Sequence, residues 1–325
     1  MEHERVVAAQ AGDRAAFDLL AQPLRQRLHA HCYRMLGTLD DADDAVQETL
    51  LRAWRHLGNF MAERSLLAWT YQIATNVCLT MLQRSKTRGP DTQAPLDPYP
   101  DGSYVMASGP ADPSSASEQR EAVQLAFTAA VLILPPRQRA VLLLRDVLGF
   151  AAAEVAPMLA MSIPAVNSAL QRARSTLPGP AGDALARAHR PVSSASEEAL
   201  VRRFVVAWEH ANVDELVELL TRDALLAMPP QPDRFVGREA IRAFLRAGRA
   251  DERPGRFRLL NARANTQPAL VTYLRGEPGD CYEAHAVMVL AVQGELIASV
   301  TRFQGTGLVE RFGHPAMLAR DTDDR

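Results

Sequence analysis

Two stretches with few large apolar residues limit how this chain can fold. Residues 85–117 and 178–196 are rich in Pro, Gly, Ser and Asp. Neither can bury enough apolar surface to offset the conformational entropy lost on folding, so we expect no single core through the whole chain. The 325 residues therefore divide into blocks 1–84, 118–177 and 197–325, and the length alone predicts two or three domains.

Composition and charge exclude several classes of protein. Apolar residues make up 47% and charged residues 23%, as in an ordinary soluble globular protein. The net charge of −2 excludes a polybasic nucleic-acid binder, so any nucleic-acid contact must use local stripes of arginine. Cys32, Cys78 and Cys281 lie far apart without a CxxC pair, which predicts a reducing cytoplasm and no metal site. We also expect no membrane span, because no apolar run reaches 18 residues.

The first two blocks show helical periodicity. The predicted helices are 41–57, 66–84, 120–134 and 136–147. In the first of these helices aspartates crowd the start while Arg52 and Arg55 lie near the end, an order that matches the helix macrodipole. Pro135 and Pro136 separate the last two helices, since proline ends one helix and can begin the next.

The sharpest local pattern is a helix-turn-helix over residues 152–177. A first helix, 152–160, is followed by a short turn, by Ser162 as an N-cap and by Pro164 in the first turn of the second helix. The predicted outward face of the second helix carries Asn167, Ser168, Gln171, Arg172, Arg174 and Ser175. Amide and guanidinium groups can read base edges in the major groove and contact phosphates. The alternative is the solvated polar face of a small helical bundle.

The third block changes from helix to strand. We predict helices over 197–221 and 238–247, then strands over 257–261, 269–274, 282–293 and 296–304. Helices followed by a meander of strands are typical of an α+β layer fold. An enzyme would need an acid or base placed in a cavity, and the candidates are Asp233, Glu283, His285 and Arg302. The alternation along 282–290 does not decide which strand face lines that cavity.

The motifs together resemble a known family. The run LDDADDAVQETLLRAWR (39–55), the helix LLAWTYQIATNVCLTMLQRS (66–85) and the segment from LPPRQRAVLLLRDVLGF onward (134–177) occur in the order of the extracytoplasmic-function (ECF) sigma factors of the sigma-70 family. The third block is similar to the SnoaL-like, ketosteroid-isomerase-like cone. The resemblance implies two all-α domains followed by an α+β domain.

The resemblance also implies domain boundaries. They are region 2 at 1–88, an acidic flexible linker at 89–117, region 4 at 118–178, a second linker at 179–196 and the SnoaL-like domain at 197–325. The first linker has four aspartates and no basic residue, so it suits a segment that threads toward the polymerase active-site channel as a strand mimic. A plain tether is an equal alternative.

The resemblance further assigns binding residues. Those expected to dock on core RNA polymerase are Asp41, Asp43, Asp44, Gln47, Glu48 and Arg52. Those expected at the −10 promoter element are Asn59, Arg64, Ser65, Trp69, Tyr71, Gln72 and Asn76. Those expected at the −35 element are Asn167, Ser168, Gln171, Arg172 and Arg174. The cavity of the cone is expected to involve Trp208, Met228, Phe235 and His285.

One departure from the family bears on −10 recognition. The family commonly shows a Trp-Leu-Tyr-Arg run, and this chain has Trp69, Thr70, Tyr71 and Gln72. Since an expected arginine is a glutamine here, the strength and sequence of −10 recognition are expected to differ from the family pattern.

The main hypothesis is therefore a non-enzymatic sigma factor without a cofactor. It binds core RNA polymerase and promoter DNA, and its C-terminal domain tunes that activity in cis, with a small-molecule ligand as one route. Two alternatives remain open at this point. One is a ligand-responsive helix-turn-helix regulator that works without polymerase, and the other is an isomerase or cyclase activity in the C-terminal domain.

Overall fold

The computed structural model contains two compact units. The residues that it describes are 2–61, 65–86, 96–101, 125–177, 195–229, 231, 233–248, 254–276 and 281–319. The first unit comprises Met1–Asp97 with Val105–His189, and the second comprises Pro98–Tyr104 with Arg190–Arg325. The predicted fold class, helical domains followed by an α+β domain, is confirmed.

The first unit is built from helices. They are α1 Glu2–Gln10, α2 Arg14–Leu36, α3 Leu39–His56, α4 Leu66–Lys86, α5 Leu125–Ile133, α6 Pro136–Leu142, α7 Ala152–Met158 and α8 Ile163–Thr176. Helix α6 continues as a π-helical turn, Leu143–Val147. Helix α3 begins two residues before the predicted start, because the Thr38 hydroxyl accepts a hydrogen bond from Asp41 N at 3.2 Å and caps it. The predicted cap Ser162 accepts from Ala165 N at 3.3 Å.

A buried arginine ties α6 to α2 within the first unit. Arg139 is 5% exposed and donates from Nη1 to the carbonyl oxygen of Met35. Its Nη2 donates to the carbonyl oxygens of Leu132 and Leu134, the latter at 3.2 Å. Burial lowers the pKa of Arg139 to about 10, so the guanidinium is still charged at neutral pH. Arg139 therefore fixes α6, which precedes the helix-turn-helix, against α2.

The second unit combines a mixed seven-stranded sheet with helices. Its elements are α9 Ala195–Glu209, α10 Val213–Glu218, β1 Leu220–Ala227, β2 Arg234–Val236, α11 Arg238–Gly248, β3 Phe257–Ala264, β4 Gln267–Arg275, β5 Cys281–Gln293, β6 Leu296–Gln304, α12 Thr306–Arg311 and β7 Met317–Ala319. The strand order is β2-β1-β6-β5-β4-β3, with β7 paired to β5. Only the β1–β6 pair is parallel among the described strands.

One apolar face of this sheet packs under α9, α10 and α11. Phe204 and Trp208 of α9 belong to one buried cluster with Met288 and Leu290 of β5 and Val300 of β6. The four predicted strands are present, each within three residues of its predicted ends. The prediction of one helix over 197–221 is wrong at its end, since the chain turns after α9, forms the short α10 and enters β1 at Leu220.

Two properties of the described residues limit the kinds of site to consider. In that part of the chain, no helix is long and apolar enough to cross a membrane. Nor do three or more His, Cys, Asp or Glu side chains of those residues come together where they could hold a metal ion.

Candidate functional site

Helix α3 presents one exposed stripe to solvent. Asp44, Gln47 and Leu51 are exposed at spacings of three and four residues, so they lie on one helical face. Leu51 is 44% exposed, and sequence reasoning missed it as a member of this face. The feature of the sequence that places Leu51 on this face is its position four residues after Gln47. Single exposed apolar side chains are common on protein surfaces, so Leu51 marks this face only together with Asp44 and Gln47.

The other predicted docking residues of α3 have intrachain partners. Asp41 accepts a hydrogen bond from the hydroxyl of Thr38 at 2.7 Å and helps to cap the helix. Asp43 lies 3.2 Å from Nε2 of the buried His29. Glu48 and Arg52 form an ion pair of 2.7 Å along the helix. Asp44 and Gln47 are therefore the predicted polar residues that point most directly outward.

The predicted −10 residues separate into a surface group and a buried one. Asn59, Ser65 and Asn76 are exposed, while Trp69 and Gln72 are half-buried. Tyr71 is only 1% exposed, with its ring 5.3 Å from that of His31 and 5.9 Å from that of Phe150. Arg64 lies outside the described residues.

The loop after α3 is held by a residue that sequence reasoning did not identify. The side-chain amide of Gln10 in α1 donates to the carbonyl oxygens of Leu57 and Phe60, at 3.0 and 2.8 Å. The Phe60 ring packs 5.0 Å from that of Trp69. Helix α1 thus positions the loop that carries Asn59.

The predicted outward face of α8 is exposed throughout. Asn167, Ser168, Gln171, Arg172, Arg174 and Ser175 are all exposed, while Val166, Leu170 and Ala173 are buried. These residues, together with the buried Ala169, hold the helix on α6 and α7. The polar face is therefore available to a partner in the shape that major-groove reading requires.

Arg174 differs from its neighbours because an acid holds it. Its Nε and Nη2 donate to the two carboxylate oxygens of Asp146, at 2.9 and 2.7 Å. The Asp146 side chain is 10% exposed and that of Arg174 is 61% exposed. The fork-shaped pair joins α8 to the π-helical turn and compensates the charge of Arg174. The outward face of α8 itself carries no acid, and this acid comes from 28 residues earlier in the chain.

This pair predicts different roles for two arginines of one helix. The family resemblance assigns Arg172 to the −35 element, so we expect Arg172→Ala to remove one phosphate contact and to lower the salt slope of promoter-DNA binding by about one counterion. We expect Arg174→Ala to change the slope much less, since Asp146 already compensates that charge. Fluorescence anisotropy with a labelled promoter duplex at several salt concentrations measures both slopes. Equal slope losses in the two variants would contradict this division.

Residues 98–101 of the predicted linker lie on the β3–β4 hairpin. The carboxylate of Asp101 accepts from Thr266 N at 2.8 and 3.0 Å, and Asp101 N donates to the carbonyl oxygen of Arg263 at 3.1 Å. Tyr99 exchanges two bonds of 2.8 Å with Asn265, one of them to its side-chain oxygen. These five hydrogen bonds attach a segment that was predicted to be flexible to the sheet. The rest of that linker, apart from residues 96 and 97, lies outside the described residues.

The hairpin turn that receives this segment is conformationally unusual. Asn265 and Thr266 both have positive φ, +52° and +61°. That geometry is rare for a β-branched residue such as threonine and costs about 1–3 kcal/mol where it occurs. This turn conformation directs the Thr266 amide toward Asp101. Burial raises the pKa of Asp101, although the hydrogen bond from Thr266 and the charge of Arg263 act in the opposite direction.

The interior of the cone is nearly filled. Side chains that include Phe204, Trp208, Leu226 and Val300 enclose a space of about 10 Å³, which is at the lower limit for one water molecule. Trp208 is the only residue of the predicted cavity set that lines this space among the described residues. Phe235 instead stacks on Phe244 at 4.1 Å. This space is too small for a substrate.

Family models match three segments of the chain. They are sigma-70 region 2 at residues 20–88, sigma-70 region 4 at 124–177 and a SnoaL-like domain at 201–300. The segments correspond to helices α2–α4, to α5–α8 and to most of the second unit. The resemblance stated from the motifs is thereby confirmed.

Relatives of known identity agree with these matches. The ECF RNA polymerase sigma factor SigG of Mycobacterium tuberculosis is 41% identical over 323 residues, which cover 94% of this chain and 85% of that protein. The sigma factor SigM of the same species is 35% identical over 175 residues, covering 54% of this chain and 81% of SigM.

One solved structure has a similar fold along most of the chain. The crystal structure of the Mycobacterium tuberculosis ECF sigma factor SigJ aligns with a TM-score of 0.64 at 22% identity, covering 89% of this chain and 97% of that chain. The likeness concerns the fold alone. Taken with the 41% identity to a sigma factor along nearly the full length, it leads to one conclusion. The chain belongs to the family of extracytoplasmic-function RNA polymerase sigma factors.

Proposed function

We propose that this sigma factor docks on core RNA polymerase through the exposed stripe of α3. The observation that carries the proposal is the solvent-facing row of Asp44, Gln47 and Leu51. Two polar side chains that flank an exposed apolar one can supply orientation and buried area together at an interface. Glu48 and Arg52 border this row as a half-exposed ion pair.

Promoter recognition then divides between the two helical regions. We assign the −35 element to Asn167, Ser168, Gln171 and Arg172 on α8, since these residues are exposed on one face. We assign the −10 element to the loop with Asn59 and Ser65 and to the exposed positions of α4. Tyr71 is a packing residue in this conformation, because it is buried between two aromatic rings.

The docking proposal predicts a large loss of polymerase binding on one double substitution. Gln47→Ala with Glu48→Ala is expected to weaken association with core polymerase at least about tenfold, as interface residues near the centre of a contact commonly do. Run-off transcription should fall in parallel, and a pull-down with purified core enzyme measures the binding. The matched control is Asp18→Ala with Gln22→Ala, an exposed acid and glutamine on α2. If the α3 pair binds like this control, the docking face is assigned to the wrong helix.

We further propose that the C-terminal domain regulates the sigma factor in cis by holding its linker. The support is the set of hydrogen bonds between residues 99–101 and the hairpin turn at Asn265 and Thr266. A linker that is bound there is not available to thread toward the polymerase channel. Dissociation of the linker from the hairpin is then a step that precedes transcription initiation.

The two alternative functions have less support. A regulator that works without polymerase is not favoured, because the relatives similar to this chain are named as RNA polymerase sigma factors. An isomerase or cyclase needs room for its substrate, and the space lined by Phe204 and Trp208 in the cone has a volume of only about 10 Å³.

A further inference from the structure

One side chain of α1 closes the short turn that follows α3. The side-chain amide of Gln10 donates to the carbonyl oxygen of Leu57 at 3.0 Å and to that of Phe60 at 2.8 Å. An amide nitrogen carries two hydrogens, which is enough for both bonds. Phe60 N also donates to the carbonyl oxygen of Leu57 at 3.0 Å. Since carbonyl groups at the end of a helix lack partners within the helix, Gln10 supplies these acceptors from outside and joins the two ends of the turn.

This turn has two buried ends and an exposed tip. Leu57 is 1% exposed and Phe60 is 6% exposed, while Gly58 and Asn59 between them are exposed. A β-carbon built at Gly58 would meet no atom of the described structure within 4 Å, its chain neighbours aside, so the space around the tip is open. The position of Asn59 is therefore set by two ends that are held in the core and joined by one amide.

Helix α1 is itself fixed on the core, so its glutamine can hold the turn in place. Val6 and Ala9 are each 3% exposed and belong to the same buried cluster as Leu57 and Phe60. Gln10 is exposed and reaches the turn from the surface, so a substitution there leaves that cluster intact. Helix α1 ends before residue 20, where the match to sigma-70 region 2 begins, and the family match therefore assigns it no role.

We propose that Gln10 is a positioning residue for base selection at the −10 element. The proposal rests on the assignment of the loop with Asn59 to that element, and it adds a residue that contacts no base itself. A flipped base is selected by hydrogen bonds to its edge, and such bonds require the protein donor and acceptor to be held within about 0.5 Å of the productive position. Without the two bonds from Gln10 the turn keeps its buried ends, but its tip varies in position. Asn59 then discriminates less between the correct base and the others.

The test measures base discrimination by the holoenzyme. Full-length protein combined with core polymerase is titrated into a labelled single strand that carries the non-template −10 sequence of a promoter on which the wild type initiates. A second strand with those bases exchanged serves as the reference, and the ratio of the two Kd values is the discrimination. Gln10→Met keeps much of the side-chain volume and removes both donors, so this ratio should fall at least about fivefold. Gln10→Lys should recover part of it, because an ammonium group retains hydrogens for the two carbonyl oxygens.

Companion measurements separate positioning from a general loss of structure. Gln10→Met should leave the pull-down with core polymerase and the thermal midpoint unchanged. Asn59→Ala should also lower the discrimination, and adding Gln10→Met to it should cause no further loss, because both residues act through one contact. The matched control is Gln22→Met, which replaces an exposed glutamine of α2 and should keep the wild-type ratio.

The contrary outcomes distinguish this proposal from the assignment on which it rests. An unchanged ratio for Gln10→Met beside a lowered ratio for Asn59→Ala would overturn the role of Gln10 and leave the −10 assignment in place. Unchanged ratios for both variants would overturn the −10 assignment of the loop and the role of Gln10 with it. A parallel loss of core binding, or an equal loss of discrimination with Gln22→Met, would show that Gln10 does not act on base selection.

Discussion

Replacing Arg139 by methionine is expected to lower the free energy of unfolding of the first unit by about 3 kcal/mol. Methionine keeps much of the aliphatic volume but removes every donor. The carbonyl oxygens of Met35, Leu132 and Leu134 then lose the guanidinium that binds them. A buried acceptor without a partner costs about 1–3 kcal/mol. Removing the charge also removes the free-energy cost of burying it, but the loss of three hydrogen-bonded acceptors is larger.

Urea unfolding of the full chain measures this loss, with amide hydrogen exchange of α2 as a local readout. The matched control is Arg137→Met, two residues earlier on the same helix, where the side chain is exposed. Arg139→Lys should recover little, because an ammonium group cannot reach three carbonyl oxygens in the planar arrangement of a guanidinium. Indistinguishable midpoints for the Arg139 and Arg137 methionine variants would show that the buried contacts contribute nothing.

Helices α3 to α8 could be predicted from the sequence because their signals are local. The predicted cap Ser162 begins α8, and the apolar spacing of each helix is close to 3.6 residues, whereas the Thr38 cap was not recognised and the start of α3 was placed two residues late. The inward and outward faces of α8 follow directly from that spacing. The sequence motifs also sufficed to identify the family, since several of them occur in order along the chain.

The strand β1 could not be predicted because its reason is not local. The segment from Leu220 continues the apolar pattern of the preceding helix, and it becomes a strand through its pairing with β2 and its parallel pairing with β6, some 75 residues later. The β-bulge at His285 also has a cause that is not local, because it arises where Ala284 and Ala286 pair with consecutive residues of β4. Simple alternation along β5 assigns faces that the extra residue exchanges, so the sheet register decides which side chains meet.

The site residues that were missed depend on contacts between distant parts of the chain. Asp146 joins Arg174 from 28 positions away, and Gln10 supports a loop about 50 positions later. Tyr71 matches a family position for promoter contact, but burial beside Phe150 is a tertiary effect that composition and spacing do not report. The linker shows the same limit, because low apolar content indicates a lack of its own core and says nothing about a partner hairpin.

Release of the linker is expected to raise promoter-specific transcription by the full-length protein. Asp101→Ala removes the carboxylate that accepts from Thr266 N, and the strained turn then loses the contact that supports it. A net loss of about 1–2 kcal/mol corresponds to a roughly tenfold shift toward the free linker. Transcription should therefore rise by up to about tenfold over wild type.

Run-off transcription with core polymerase measures this effect, and a chain truncated at about residue 190 sets its upper limit. Because the truncated chain has no hairpin, Asp101→Ala should not change its transcription. This comparison separates binding of the linker by the hairpin from any direct role of Asp101 at the polymerase. Asp112→Ala is the charge-matched control, since it removes one aspartate from the same linker. An equal rise with Asp112→Ala would attribute the effect to linker charge, and unchanged output on truncation would exclude regulation in cis. Regulation by the bound linker predicts a different result. Asp101→Ala raises transcription, Asp112→Ala does not, and the rise occurs only when the C-terminal domain is present.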